Sequence, residues 1–223
     1  MSVLLTGFEP FDGGTINPSA EIVRALEGRT IGGLRVTGRV YPVSMQRISG
    51  AIGAALQETK PQIVVSLGLA GGEPVIRLER VGVNLVDFPV ADNDGALLKD
   101  AKIVPNGPDA FASTLPMRAI HAALLHAGIP ARLSNTAGAY LCNACLYLTG
   151  AALKERGSNA TFGFIHLPYL PEQAAAHLAN PKSGRAPDSC PSMSLDTMIR
   201  AVETAITIAA QSNVTMPRAA SRS

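Results

Sequence analysis

Ser134-Asn135-Thr136-Ala137-Gly138-Ala139-Tyr140-Leu141-Cys142-Asn143-Ala144-Cys145 joins two kinds of sequence period. The apolar residues 129–133 run into it as a strand. After the small and polar residues 134–140, a helical pattern opens at Leu141 and runs to about residue 156. A strand that passes through a short loop into a helix is the unit from which α/β sheets are built. Cys142 stands where the loop enters the helix. Unpaired backbone N–H groups and the positive end of the helix dipole lie there, and both favour the thiolate, the nucleophilic form. Such a position suits a catalytic cysteine, and it equally suits a buried structural one.

The same alternation extends outward in both directions. Strands are expected at 3–6, 34–40, 63–67 and 161–166. Asn17-Pro18 starts a helix, with Asn as N-cap and Pro in the first position, that runs to about residue 26. Ser44 caps a second helix, with Ile48, Ile52 and Leu56 at four-residue spacing, ending before Lys60-Pro61. Residues 75–78 and 81–86 read as a shorter strand pair, 92–95 as a turn, and 98–108 as irregular chain. Further helices are expected at 116–127, 171–178 and 195–210. Residues 180–191 read as a loop rich in Pro, Gly and Ser, and the tail from 211 as frayed. The pattern implies one α/β domain over 1–223, three-layered, with a twisted, mostly parallel (mixed) central sheet and helices on both faces. Ligands of such sheets bind beyond the carboxyl ends of the strands. Phe8, Gly68, Ser134 and His166 fall at strand ends and are expected to share one crevice.

Composition narrows the classes. The chain has 223 residues, 47% hydrophobic and 16% charged, with a net charge of +2. That describes a globular domain with a full core. No Lys/Arg cluster is interleaved with aromatics, so a nucleic-acid partner is not expected. The amino terminus lacks a basic start, and no apolar run reaches the roughly 20 residues of a membrane span. Three cysteines are an odd number in a chain large enough to need no staples, which points to a reducing cytoplasm.

Cysteine catalysis needs a thiolate, an imidazole to generate it and protonate the leaving amine, and usually a third group to orient the imidazole. Cys142 offers the thiol and His166, at the end of an apolar strand, the base. Glu79, between Leu78 and Arg80, offers the carboxylate. Each has a plainer reading: a structural thiol, a core or surface histidine, and a surface salt bridge to Arg77 or Arg80. Cys142 and Cys145 also form a C-x-x-C at a helix start, the placement of a thiol redox motif. The plainer reading of Cys145 is a small core residue. A zinc site would need two more ligands, and Cys190, His121, His126 and His177 are scattered, so no metal is expected. Gly68-Leu69-Ala70-Gly71-Gly72 matches neither a dinucleotide fingerprint nor a P-loop. Its glycines suit close approach of backbone N–H groups to a ligand, or a tight turn.

Four motifs in order resemble those of the pyroglutamyl peptidase I (pyrrolidone carboxyl peptidase) family of cysteine peptidases. They are Thr6-Gly7-Phe8-Glu9-Pro10-Phe11 with Asn17-Pro18-Ser19, and Gly68-Leu69-Ala70-Gly71-Gly72 through Glu79-Arg80-Val81-Gly82-Val83-Asn84. The third is Ser134 to Asn143, and the fourth Gly163-Phe164-Ile165-His166-Leu167-Pro168 with Pro171-Glu172-Gln173. The resemblance spans nearly the whole chain. It implies a Glu79, Cys142, His166 triad that removes an amino-terminal pyroglutamyl residue from peptides, in a homotetramer (or homodimer) without cofactor. It implies Phe8 and Phe11 as walls for the lactam ring, with Asn17 nearby. Substrate contacts are then expected from Gly68, Leu69, Ala70, Gly71, Tyr140 and Leu141. Two departures stand out. Arg77 occupies a place where the family's motif usually has Ser or Thr. The usual Asp-Ala-Arg-Ile-Pro-Asp-Asn appears as Asp87-Phe88-Pro89-Val90-Ala91-Asp92-Asn93, so Pro89 holds the place of an Arg that in the family lies near the active site. Either backbone N–H groups near Cys142 carry the oxyanion alone or Arg77 substitutes for that Arg; the first is expected, because Arg77 lies two residues from Glu79 and could equally form a surface pair.

Overall fold

A computed structural model of the chain describes residues 2–180 and 189–215, with side chains as far as 212. Strand β1 (Ser2–Phe8) leads to helix α1 (Pro18–Leu26), where the Asn17 side chain accepts from the Ser19 N–H and Pro18 opens the first turn. The short β2 (Thr30–Ile31) and β3 (Leu34–Tyr41) follow. Ser44 caps α2 (Met45–Thr59) by accepting from the Arg47 N–H, and left-handed Lys60 ends that helix before Pro61. The chain continues through β4 (Ile63–Leu69), β5 (Ile76–Glu79), β6 (Val81–Val83), β7 (Ala110–Ala112), α3 (Met117–His126), β8 (Ala131–Ser134), α4 (Leu141–Glu155), β9 (Thr161–Leu167), α5 (Pro171–Ala179) and α6 (Leu195–Thr215).

Seven strands form one sheet in the order β2-β3-β1-β4-β9-β5-β8. β3, β1, β4 and β9 are parallel. β5 runs antiparallel to β9, and β8 runs with β5. The sheet is therefore mixed and mostly parallel, with helices on both faces. Its alternation is legible residue by residue. Val3, Leu5, Val65, Leu67, Leu78 and Ile165 pack in one core with residues of α1, α3 and α6. Leu4, Val64, Phe162 and Phe164 pack in the other with residues of α2 and α4.

Three expectations are corrected here. β5 and β6 do not pair with each other. Only Arg80 separates them, and an antiparallel hairpin needs a loop of about two residues. The chain instead leaves the main sheet, and β6, which ends at Val83, pairs with β7 in a second, two-stranded sheet. Ser134 does not end at the same sheet edge as His166, because β8 runs opposite to β9. Helix α6 continues to Thr215, past the end expected at residue 210. The strands β2 and β7, of 2 and 3 residues, carry too little pattern to be expected. Most of the predicted 180–191 loop, and the tail beyond 215, lie outside the described residues.

Candidate active site

Strand alternation sets which side chains meet. Val64 and Phe164 point to the α4 side, so Ser66, Gly68 and His166 do too. Gly68 and His166 are opposite each other in the β4–β9 register. On β5, Arg77 opposes His166 and Glu79 opposes Phe164, so both charged residues share this face. Helix α4 lies across it. A Cβ on Gly68 would come 2.7 Å from Cys142 Sγ and 2.7 Å from Phe164 Cζ. Gly68 thus admits the thiol to the sheet at the level of His166.

Two features hold the start of α4. Gly138, at φ +78°, turns the loop in a conformation that side-chain-bearing residues rarely adopt. Asn143, fully buried, accepts from the Val83 N–H at 2.8 Å and donates to the Val83 and Leu85 carbonyls at 2.9 Å each. This links the helix to β6. Tyr140 gives the helix no side-chain cap, so the amide groups of its first turn stay available.

Glu79 is 0% exposed, which overturns its reading as a surface salt bridge. Its Oε1 lies 2.8 Å from His166 Nδ1 and 3.0 Å from Arg77 Nε. The Glu79–His166 contact is a diagonal cross-strand pair made within the fold. Arg80 faces the other way, donating to Asn135 Oδ1 at 3.1 Å.

Cys142 and His166 line one cavity of about 120 Å³. Phe8, Phe11, Asn17 and Leu69 wall one side, and Tyr140 and Leu141 the helix side. Val43 and Ala137 complete it, and sequence reasoning missed both. Val43 follows β3 beyond its carboxyl end, which is the signal that locates it. Ala137 lies inside the motif that precedes Cys142. Gly68 meets the thiol, as described. Ala70 and Gly71, expected as substrate contacts, do not line the cavity. The Ala70 N–H donates to the Leu167 carbonyl at 2.8 Å, and Gly71 lies under the Tyr169 ring in a neighbouring groove of about 510 Å³. Phe11 and Leu69 are shared by cavity and groove. The Asn17 amide is also engaged locally, donating to the Glu9 carbonyl at 3.1 Å.

The segment carrying Pro89 acts through packing. Phe88 is fully buried, with its ring 4.6 Å from that of Tyr140. The Tyr140 hydroxyl donates to the Ala91 carbonyl at 3.2 Å. Burial first, then Asp92 and the Cys142 thiol, push the Tyr140 hydroxyl up to about 12, so it remains a donor.

The thiols depart from expectation. Burial pushes Cys142 up, with Cys145 and Glu79 adding to it, while Arg77 and the residue's own backbone N–H pull the other way. Desolvation thus works against the helix start, which favours the thiolate. Cys145, fully enclosed, is pushed up to about 12 by burial, against the pull of the Ser66 and Thr149 hydroxyls. Burial raises both thiols, whereas a redox pair works through a depressed one, so the redox reading is not favoured. Among the described residues no group of three or more His, Cys, Asp or Glu is arranged to hold a metal. Among them, too, no helix is long and apolar enough to cross a membrane.

A thiol and an imidazole on one small apolar cavity, with a buried carboxylate on the imidazole, form the residue set of a cysteine peptidase on an α/β sheet. The chain belongs to the pyroglutamyl peptidase family, whose model matches residues 1–212. It is 44% identical over 207 residues to a pyrrolidone-carboxylate peptidase of Enterobacter sp. (strain 638), covering 93% of this chain and 92% of that protein. It is 42% identical over 209 residues to the one from Pyrococcus furiosus, covering 94% and 98%. The crystal structure of pyrrolidone carboxyl peptidase from Pyrococcus furiosus matches with a TM-score of 0.89 at 42% identity, covering 95% of this chain and 99% of that one.

Proposed function

We propose that the chain hydrolyses the amide bond after an amino-terminal pyroglutamyl residue of peptides, through an acyl-enzyme on Cys142. The observation that carries this reading is the small cavity shared by Cys142 and His166. Its volume of about 120 Å³ is well below the roughly 300–1,000 Å³ of drug-sized ligand sites, so it suits one small ring. Pyroglutamate has no ammonium group to hold. Phe8, Phe11 and Tyr140 give its lactam flat apolar walls.

His166 takes the thiol proton as Cys142 attacks the acyl carbon. With Nδ1–H donating to Glu79, Nε2 is the ring nitrogen that works. The S–C bond forms, the C–N bond breaks, and His166 passes its proton to the leaving amine. Water then attacks the thioester with His166 again as base; the C–O bond forms, the C–S bond breaks, and His166 returns the proton to the Cys142 sulfur as 5-oxoproline leaves. Backbone N–H groups at the α4 start, that of Cys142 first, receive the oxyanion. The groove beyond Phe11 and Leu69 is lined by Tyr169, Glu172 and Gln173, which follow His166 in the chain. Through the shared Phe11 and Leu69 it adjoins the cavity, and it is the place we assign to the leaving peptide.

The homotetramer (or homodimer) and the cytoplasmic setting belong to this reading. All three cysteines are unpaired, which suits a reducing compartment. The test is release of 5-oxoproline from a pyroglutamyl amide, with prolyl and glutamyl amides as controls. Turnover of the pyroglutamyl amide alone is the expected result, and equal turnover of prolyl amide would contradict the ring pocket.

A further inference from the structure

We infer that Arg77 is a positioning residue of this site, a strut that ties the Glu79 carboxylate to the loop leading into the Cys142 helix. The inference rests on the proposed function for its kinetic readout and on geometry for everything else.

The guanidinium is not on the surface, since its side chain is 16% exposed. It touches three separate segments. Nε lies 3.0 Å from Glu79 Oε1, the oxygen that also meets His166 Nδ1. Nη1 donates to Glu73 Oε1 at 3.2 Å. Nη2 donates to Ser134 Oγ at 3.1 Å and to the Thr136 carbonyl at 2.7 Å. Ser134 and Thr136 open the loop that ends at Tyr140 and Cys142. One rigid planar group therefore spans the acid's strand and the nucleophile's loop. Lysine, a single point charge on a flexible stem, cannot do that. Arg77 does not line the cavity, so neither earlier role fits: it makes no contact with a reacting atom, and it is no surface pair.

A second observation singles out the same contact. Among the described residues, Arg77 Nε and Glu79 Oε2 are the buried side-chain nitrogen and oxygen atoms left without a hydrogen-bond partner. They belong to one ion pair. A small rotation of the carboxylate lets Nε–H donate to Oε2 while Oε1 keeps His166. Hydrogen bonds in a catalytic site are often poorly aligned at rest and tighten when substrate binds. The charge matters as well. Glu79 and Arg77 from β5, His166 from β9, and Cys145 and Tyr140 from the α4 segment are the titratable and charged groups around the Cys142 sulfur. Arg77 is the cation that opposes Glu79 there. Glu73 is shared with Arg132, which holds it at 3.0 and 3.2 Å. Loss of Arg77 would leave Glu79 without its compensating charge.

The test uses the full chain with Arg77→Ala and Arg77→Lys, melting curves on both, and two readouts. The first is kcat and KM on a pyroglutamyl amide. Arg77→Ala is expected to lower kcat by about tenfold or more with KM little changed, because the loss is of alignment rather than binding. The second is the pH dependence of Cys142 alkylation by iodoacetamide, located by peptide mapping. Its midpoint is expected to move to higher pH in Arg77→Ala and to return in Arg77→Lys, which keeps the charge. Arg77→Lys is expected to recover only part of kcat, because the fork is gone. Wild-type kcat in either variant, or an alkylation midpoint that stays put in folded Arg77→Ala, would overturn the inference. If Arg77→Ala does not fold, the kcat of Arg77→Lys decides. A wild-type chain inert towards pyroglutamyl amides would instead sink the proposed function, and the alkylation profile would still test the strut.

Discussion

Cys142 and His166 meet through the parallel part of the sheet, whereas Glu79 comes from β5, which runs the other way. The first region follows the ordinary rules of α/β architecture. A strand end, a glycine opposite the base and a helix start bring thiol and imidazole to one edge. The second is the antiparallel junction of β9 and β5, where an acid is buried beside an arginine and a histidine. A buried carboxylate is costly unless its charge is matched, so this region depends on specific partners. On the proposed function, the Cys142–His166 half should therefore fail through lost chemistry, and the Glu79 half through lost alignment.

The largest effect tests the first region. Cys142→Ser is expected to remove activity by about 10⁴-fold or more, as loss of a nucleophile does elsewhere. Cys145→Ser and Cys190→Ser should stay within a few-fold of wild type in the same amide assay. Equal loss from Cys145→Ser would return the C-x-x-C to redox chemistry.

The second prediction compares the halves directly. His166→Ala removes the proton carrier and should cost about 10³-fold in kcat. Glu79→Gln keeps the shape and loses the charge, so it should cost less, about 10²-fold, and leave measurable turnover. Steady-state kinetics of the two variants side by side will read the difference. An unchanged kcat for Glu79→Gln would remove the acid from the mechanism.

Gly68→Ala probes the place where the nucleophile approaches the sheet. The added methyl would lie 2.7 Å from Cys142 Sγ, so the sulfur or the Phe164 ring must move. Overpacking of this kind costs about 1–3 kcal/mol of stability. A displaced nucleophile should lower kcat by about tenfold with the fold intact. Melting and kinetics on one preparation separate the two effects.

What the sequence made legible divides along the same line. The Asn17 and Ser44 caps, the buried run of β4, and Cys142 at a helix start are all local signals, and each element formed where its signal stood. The direction of β5 and β8 is not local. It depends on which strand each finds as a neighbour, and periodicity within a strand is silent on that. Glu79 was singled out as an acid in an apolar segment, yet its burial came only with the β5–β9 register. Arg77 illustrates the limit most clearly. In sequence it is two residues from Glu79, which two readings fit equally. Only the pairing with β8 brings Ser134 and Thr136 to its guanidinium. Val43 and Ala137 were missed because they are small apolar residues in loops, with no chemistry of their own to mark them.

The smallest effect is one of pH on stability. Cys145 is held up at about 12, mainly by burial. Above about pH 8.5, the ordinary thiol range, the unfolded chain releases this proton and the folded chain keeps it. The unfolded state then binds fewer protons, so stability falls as pH rises through this window. Each such group contributes about 1.4 kcal/mol per pH unit. Chemical denaturation between pH 8 and 11 should show the decline, and Cys145→Ala should make it shallower by one proton. An identical slope in the variant would mean that Cys145 is not the group held protonated.

On the proposed function, the cavity presents a pyroglutamyl group to Cys142. The most direct measurement is covalent trapping with a pyroglutamyl chloromethyl ketone, located by peptide mapping. One label per chain is expected, on Cys142, slowed by excess pyroglutamyl amide and unaffected by prolyl amide. A label on Cys145 or Cys190, or labelling of Cys142 that excess pyroglutamyl amide does not slow, would contradict it.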